Sequence, residues 1–341
     1  MNTTLAGLVE KSRALDEGKH DMTTIKSGIH YADIDGRLSL SVDSGFIGMS
    51  EWMSMQRRAI SHACTKLASP PTGYIADVCP ADLAAINMNH WQQESGSGSR
   101  DTKWFVRSIA DERGGQEVRA CLSEFYTPIS NTELLEMAAD FTQELGGEVI
   151  RGYVDADTLH LKMIFVDDST ANYGFGFYLG NGEVGNRALR VAPLVQRHAC
   201  TNSITMPSGT FYQKHYRVSP VRLRGDVKDE LGKALRTAPD ILAQIVKAEM
   251  DQIPDLAEIV KHLVERKGFS ENIASEILIG TEAKRTRMGL VNGLSYAAHS
   301  TADMDQETRI DLEFFAGAML ESTQAEVRTI ANSRSRVKFQ A

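Results

Sequence analysis

No stretch of this 341-residue chain approaches the ~20 consecutive apolar residues that a membrane-spanning helix needs, and its N-terminus has no basic segment followed by an apolar run. A membrane partner and a cleaved leader are therefore not expected, and the expected setting is the cytoplasm. Cysteine is scarce. Cys64, Cys79, Cys121 and Cys200 stand far apart with no C-x-x-C among them, which favours reduced thiols over a disulfide framework. His198 and Cys200 would share a strand face, but zinc needs further ligands and no second cluster has suitable spacing. There is no G-x-S-x-G elbow to activate a serine such as Ser123, and the glycines of Tyr173–Gly182 make no nucleotide-phosphate loop. No cofactor is expected.

The most informative absence is local. Between Val184 and Arg224 there is no Asp or Glu, while Arg187, Arg190, Arg197, Lys214, Arg217, Arg222 and Arg224 all fall there. The whole chain carries 37 Lys and Arg against 45 Asp and Glu, a formal net charge of −8; without those seven cations it would stand at −15. A concentration of one sign within a molecule of the other is a statement about partners. Phe211, Tyr212 and Tyr216 lie among the charges. Cations that track a phosphate backbone, with aromatic rings on which bases stack, are the composition of a single-strand binding groove. Strand parity does not gather all seven, because Arg187 and Arg190 are an odd number of residues apart; Arg222 and Arg224 would share a strand face. Convergence has to come from tertiary structure. The competing structural uses are a solvated strand edge and a contact with acidic surface.

What is present suggests an α+β fold: an antiparallel-sheet central domain followed by an α-helical bundle. Residues 1–48 read as a partly ordered arm, with a short hairpin through Ile29–Val42. The α+β domain is expected over 49–225. Ser50 is placed to cap a helix through Trp52, Met53, Ile60, Ala63 and Leu67, stopped by Pro70-Pro71. Pro80 starts another helix that runs to about Trp91, and Glu94–Arg100 reads as a loop. Two strands around DERGG form a hairpin. Ser130 and Glu133 have capping-box spacing ahead of a helix that ends at Gly146-Gly147. Two further strands join through Ala156-Asp157, and Asn181-Gly182 reads as a hairpin turn before ALRVAPLV. The order β-β-α-β-β-β-β argues for α+β rather than a doubly wound sheet. From Asp226 to residue 332 apolar residues recur at helical spacing in about five segments, a bundle, before a basic tail over 333–341.

Three segments taken in order, Arg119–Ala138 (RACLSEFYTPISNTELLEMA), Asn181–Asn202 (NGEVGNRALRVAPLVQRHACTN) and Thr286–Leu320 (TRMGLVNGLSYAAHS, then RIDLEFFAGAML), resemble the phage and plasmid proteins grouped as domain of unknown function 932. The likeness runs from about Trp52 to Leu320. It implies a mobile-element setting within a host cytoplasm and supplies no catalytic residues. Where members of that group would carry Cys-Asn-Gly, this chain has Cys200-Thr201-Asn202.

The expected function is therefore non-enzymatic: a nucleic-acid binding protein, for single-stranded DNA, supporting recombination or replication. Lys214 and the arginines would contact phosphates, and Phe211, Tyr212 and Tyr216 would stack bases. One rival is a self-assembling phage protein, a homo-oligomer whose basic stretch meets acidic surface of a neighbour. Another is a metal-dependent nuclease on Asp155, Asp157, Asp167 and Asp168, although the first two read as turn formers. Arg285 and Arg287, near a helix start, are placed to touch phosphate or to pair with a nearby carboxylate.

Overall fold

The computed structural model describes residues 4–43, 52–67, 71–94, 102–165, 172–197, 202–302 and 304–333. Ser50, Pro70, residues 95–100, Asp167, Asp168, His198, Cys200 and the tail from 334 onward lie outside the described residues.

Thr4 caps α1 (Leu5–Glu17) by accepting the Gly7 N–H at 3.2 Å, and the helix buries Leu8, Val9 and Ser12. Then come β1 (Lys19–Ile25), β2 (Ile29–Ile34), β3 (Arg37–Val42), β4 (Met53–Met55), α2 (Arg57–Lys66), α3 (Thr72–Asp77), α4 (Ala81–Glu94), β5 (Lys103–Ala110) and β6 (Gln116–Ser123). The six strands form one sheet in the order β1-β5-β6-β4-β3-β2, antiparallel except for the short β4–β6 pair. Residues 4–43 of the segment expected as an arm are thus built into the fold. β1 pairs with β5 along its whole length, and β2–β3 is the expected hairpin. The partners of α1 and β1, namely α5 (Asn131–Leu145) and β5, lie far along the chain, so local spacing does not reveal them. The helix expected from Ser50 is shorter than its periodicity implies. Met53–Met55 leave the helical pattern to join the sheet, and α2 starts at Arg57.

Ser130 caps α5 (Asn131–Leu145) through the Thr132 and Glu133 N–H groups, and Gly146 ends it in the left-handed conformation, φ 75°, as the spacing predicts. The second sheet follows: β7 (Gly147–Val154), β8 (Thr158–Phe165), β9 (Tyr173–Gly182), β10 (Leu189–Arg197), β11 (Ser203–Thr205) and β12 (Phe211–Gln213). The order is β11-β10-β9-β8-β7, all antiparallel, with β12 also on β10. Asn181-Gly182 is not a turn. Asn181 pairs with Leu159 inside the sheet and donates from its amide to the Ile129 carbonyl and to Asn131, so buried partners override the local turn signal.

Helices α6 (Pro220–Arg236), α7 (Ala238–Met250), α8 (Leu256–Lys267), α9 (Glu271–Gly280), α10 (Arg287–Ser300), α11 (Gln306–Glu321) and α12 (Gln324–Asn332) complete the fold, which is mixed α+β. The expected boundary at 225/226 falls inside α6. Leu223, Val227, Leu231 and Ala234 of this helix bury against Leu161, Phe177, Leu179 and Val191 of the second sheet, together with α1 and α5. Arg222 and Arg224 are therefore helical, and the strand face expected for them does not exist. Three large cores result: the first sheet under α2–α4, the second sheet under α1, α5 and α6, and α7–α12 against Phe175, Val195, Ile204 and Met206. No helix among the described residues is long and apolar enough to cross a membrane.

Candidate functional site

The basic stretch divides into three places. Lys214, Arg217, Arg222 and Arg224 are exposed. Arg187 and Arg190 are buried beneath α11, and Arg197 lies apart at the end of β10.

The exposed group is built around a crossing of two loops. Tyr126 and Tyr216 form an isolated β-bridge; the Thr127 N–H donates to the His215 carbonyl at 3.2 Å, and the Arg217 N–H to the Phe125 carbonyl at 2.9 Å. These bonds hold Arg217 at φ 50°, a left-handed conformation a non-glycine residue adopts only when its surroundings impose it. Its guanidinium lies 4.1 Å from the Phe125 ring centroid and 5.4 Å from that of Tyr216, and the two rings meet edge-on at 5.9 Å. Tyr216 is 55% exposed and Phe125 is also open to solvent. Behind them, His215 stacks on Tyr126, which stacks on Phe105. Pro220 starts α6 just beyond Arg217, with no acidic residue in its first turn. Arg222 reaches Asp226 at 3.5 Å and Arg224 pairs with Glu133. Both arginines are open to water; pairs of this kind are worth ~0–1 kcal/mol and exchange readily for another anion. Phe125 is the residue the sequence reading missed. It lies outside the basic stretch, and only the tertiary bridge brings it there.

Phe211 and Tyr212 do not join this group. Both are on β12 and half-buried; Phe211 packs against the core shared by α1, α5 and α6, while Tyr212 faces Arg190. Arg197 lines a cavity of about 330 Å³ with Asn172, Tyr173, Leu242, Ile245, Val246 and Glu249.

Other charges have structural employment. Glu183, 1% exposed, sits where the sheets meet. Lys19 approaches it at 2.8 Å, Arg107 at 3.6 Å and Arg119 at 3.9 Å, and it accepts the Asn131 N–H at 2.8 Å. Arg119 reaches this hub because it is the extra residue of a bulge. Arg107 pairs with Ala120 and Ser108 with Val118, leaving Arg119 unpaired. Strict alternation would place Arg119 and Cys121 on one strand face, and the bulge breaks that alternation. Val118 and Cys121 face the helices of the first sheet, and Ala120 and Leu122 face Val184. Asp155 accepts the Asp157 and Thr158 N–H groups as a turn former, and Asp157 pairs with Arg58 and Arg119. Arg287 pairs with Asp251 at 2.8 Å and donates to the Leu320 carbonyl. The Ser123 hydroxyl accepts the Phe125 N–H and its carbonyl the Tyr126 N–H, a turn-forming role. Gly180, Gly182 and Gly185 do have G-x-G-x-x-G spacing, but they lead from β9 into β10 with no helix after them to receive a pyrophosphate. No group of three or more His, Cys, Asp or Glu among the described residues is arranged to hold a metal.

Comparison with known proteins gives no guide: no family model, no curated protein and no solved structure matches this chain.

Proposed function

We propose that this protein binds single-stranded nucleic acid through the exposed part of its basic stretch, with Lys214, Arg217, Arg222 and Arg224 on phosphates and Tyr216 and Phe125 as stacking rings. The observation that carries the reading is the Phe125–Arg217–Tyr216 cluster. It is solvent-facing, ordered by two backbone hydrogen bonds, and continued by a helix start that lacks acidic residues. A cation already ordered on an aromatic face loses less freedom on binding. Arg187 and Arg190 are too buried to track a strand, and Arg197, Phe211 and Tyr212 lie elsewhere, so the proposed surface is smaller than the basic stretch.

Fluorescence anisotropy with a labelled deoxythymidine oligonucleotide tests this. Affinity should fall with salt at a log–log slope of ~−0.7 per neutralised phosphate. Arg217→Ala with Arg222→Ala and Arg224→Ala should flatten that slope, and Tyr216→Ala should cost ~1–3 kcal/mol without changing it. Absence of binding at low salt, or binding indifferent to the triple change, overturns the proposal.

A further inference from the structure

Beneath α11 the second sheet carries polar groups where a core would be expected. His160 of β8, Gly180 of β9 and Arg190 of β10 are cross-strand partners, so they occupy one face of the sheet. Gly180 has no side chain to raise there, and the Tyr178 hydroxyl takes the space its Cβ would fill, meeting His160 Nδ1 at 2.8 Å. Arg187, on the loop after β9, acts electrostatically on the same hydroxyl. Its guanidinium is buried, and its ion-pair partner, Glu307 at 3.0 Å, is 73% exposed.

Arg190 is the anomaly. It is 8% exposed, makes no ion pair among the described residues, and its buried Nε has no hydrogen-bond partner. Its contacts are the rings of Tyr212 at 5.6 Å and Phe314 at 5.9 Å. Such contacts return ~0.5–2 kcal/mol each. Taking a charge out of water costs several kcal/mol. The rings do not close that gap, and Asp311 stands within electrostatic reach of both arginines without pairing with either among the described residues. A guanidinium held in this state is a receptor for an anion.

We propose that Arg187 and Arg190 bind a small oxyanion of the phosphate class at the start of β10 beneath α11, beside the Tyr212 ring. Glu307, already in water, gives up Arg187 at little cost when the anion arrives. The site is separate from the exposed surface of Arg217 and Tyr216, and the two stand or fall independently.

The test is thermal unfolding of the full chain against inorganic phosphate, with chloride at matched ionic strength. Phosphate should raise the midpoint saturably and chloride should not. Arg190→Met keeps the stem and removes the charge; it should weaken the apparent phosphate affinity at least tenfold, whereas Arg217→Ala should leave it unchanged. Asp311→Asn removes a like charge facing the anion and should tighten phosphate several-fold, a gain that an unfolded variant cannot imitate. Thymidine 5′-monophosphate is the second probe. Tighter binding than inorganic phosphate points to a nucleotide as the source, and equal binding to free phosphate; both support the site. A phosphate response no larger than that of chloride, or an equal response in Arg190→Met, overturns it. If Arg190→Met does not fold, an Asp311→Asn protein with unchanged phosphate affinity does so instead.

Discussion

At the scale of single residues, several buried charges of this protein are matched in pairs or clusters. Lys162 is buried in an ion pair with Glu313, Arg287 is buried with Asp251, and Glu183 collects three cations. Removing one partner of such a set typically costs 3–5 kcal/mol, because the other charge is left in the interior. Histidine follows the same logic with opposite consequence. Burial, aided by Arg187, pushes His160 down to about 3, and burial pushes His215 down to about 4. Both are neutral when folded at pH 5, whereas in the unfolded chain they charge below ~6.5. The unfolded state thus binds more protons between about pH 6.5 and these folded values, and stability is lost as pH falls through that window. Urea titrations should show a less stable protein at pH 5 than at pH 7. His215→Phe, which retains the stack on Tyr126, should recover on the order of 1–2 kcal/mol of that difference. An unchanged difference in this variant would rule out His215 as a source.

At the scale of elements, β9 explains why local signals failed where they did. From Gly174 to Gly182 every residue is buried, and the strand is flanked by β8 and β10 along its length. Its glycines serve close approach rather than turning. A Cβ on Gly176 would fall on the Met163 carbonyl of the neighbouring strand, a backbone atom that cannot rotate away. Gly176→Ala should therefore destabilise the protein by ~2 kcal/mol or more, read as a shift in denaturation midpoint. A variant as stable as the parent would mean that β8 and β9 separate freely. Asn181-Gly182 carries the composition of a hairpin turn, yet the strand continues through it because Asn181 finds Ile129 and Asn131 as partners. A buried hydrogen-bonding site outweighs a turn preference.

At the scale of the whole molecule, the second sheet is the common wall. β9 and β10 pack against α1, α5 and α6 through Phe177, Leu179 and Val191, and against the C-terminal helices through Phe175 and Val195, with Tyr178 and Ala192 under Ile310 and Phe314. The N-terminal helix and the helices after residue 220 thus share cores with strands between them in sequence. Unfolding should be a single transition, with calorimetric and van't Hoff enthalpies equal. A chain cut after residue 225 loses Val227, Leu231 and Ala234 from the core of the second sheet and should show no cooperative melt. Two separate transitions in the intact protein, or a cooperatively melting 1–225 fragment, would show that the halves are autonomous.

The α+β class, the hairpin around DERGG, the β7–β8 hairpin, the Ser130 cap and the left-handed Gly146 were legible in the sequence, because each rests on interactions within a few residues. The chain by itself also determined that its positive charge is concentrated between Arg187 and Arg224. Tertiary structure alone decided which of those cations meet solvent, that Phe125 joins Arg217, that Arg119 bulges toward Glu183, and that residues 5–42 belong to the fold. The physical reason is that burial depends on what packs across from a residue. For Arg187 and Arg190 that partner is α11, more than a hundred residues away, and no local spacing encodes it.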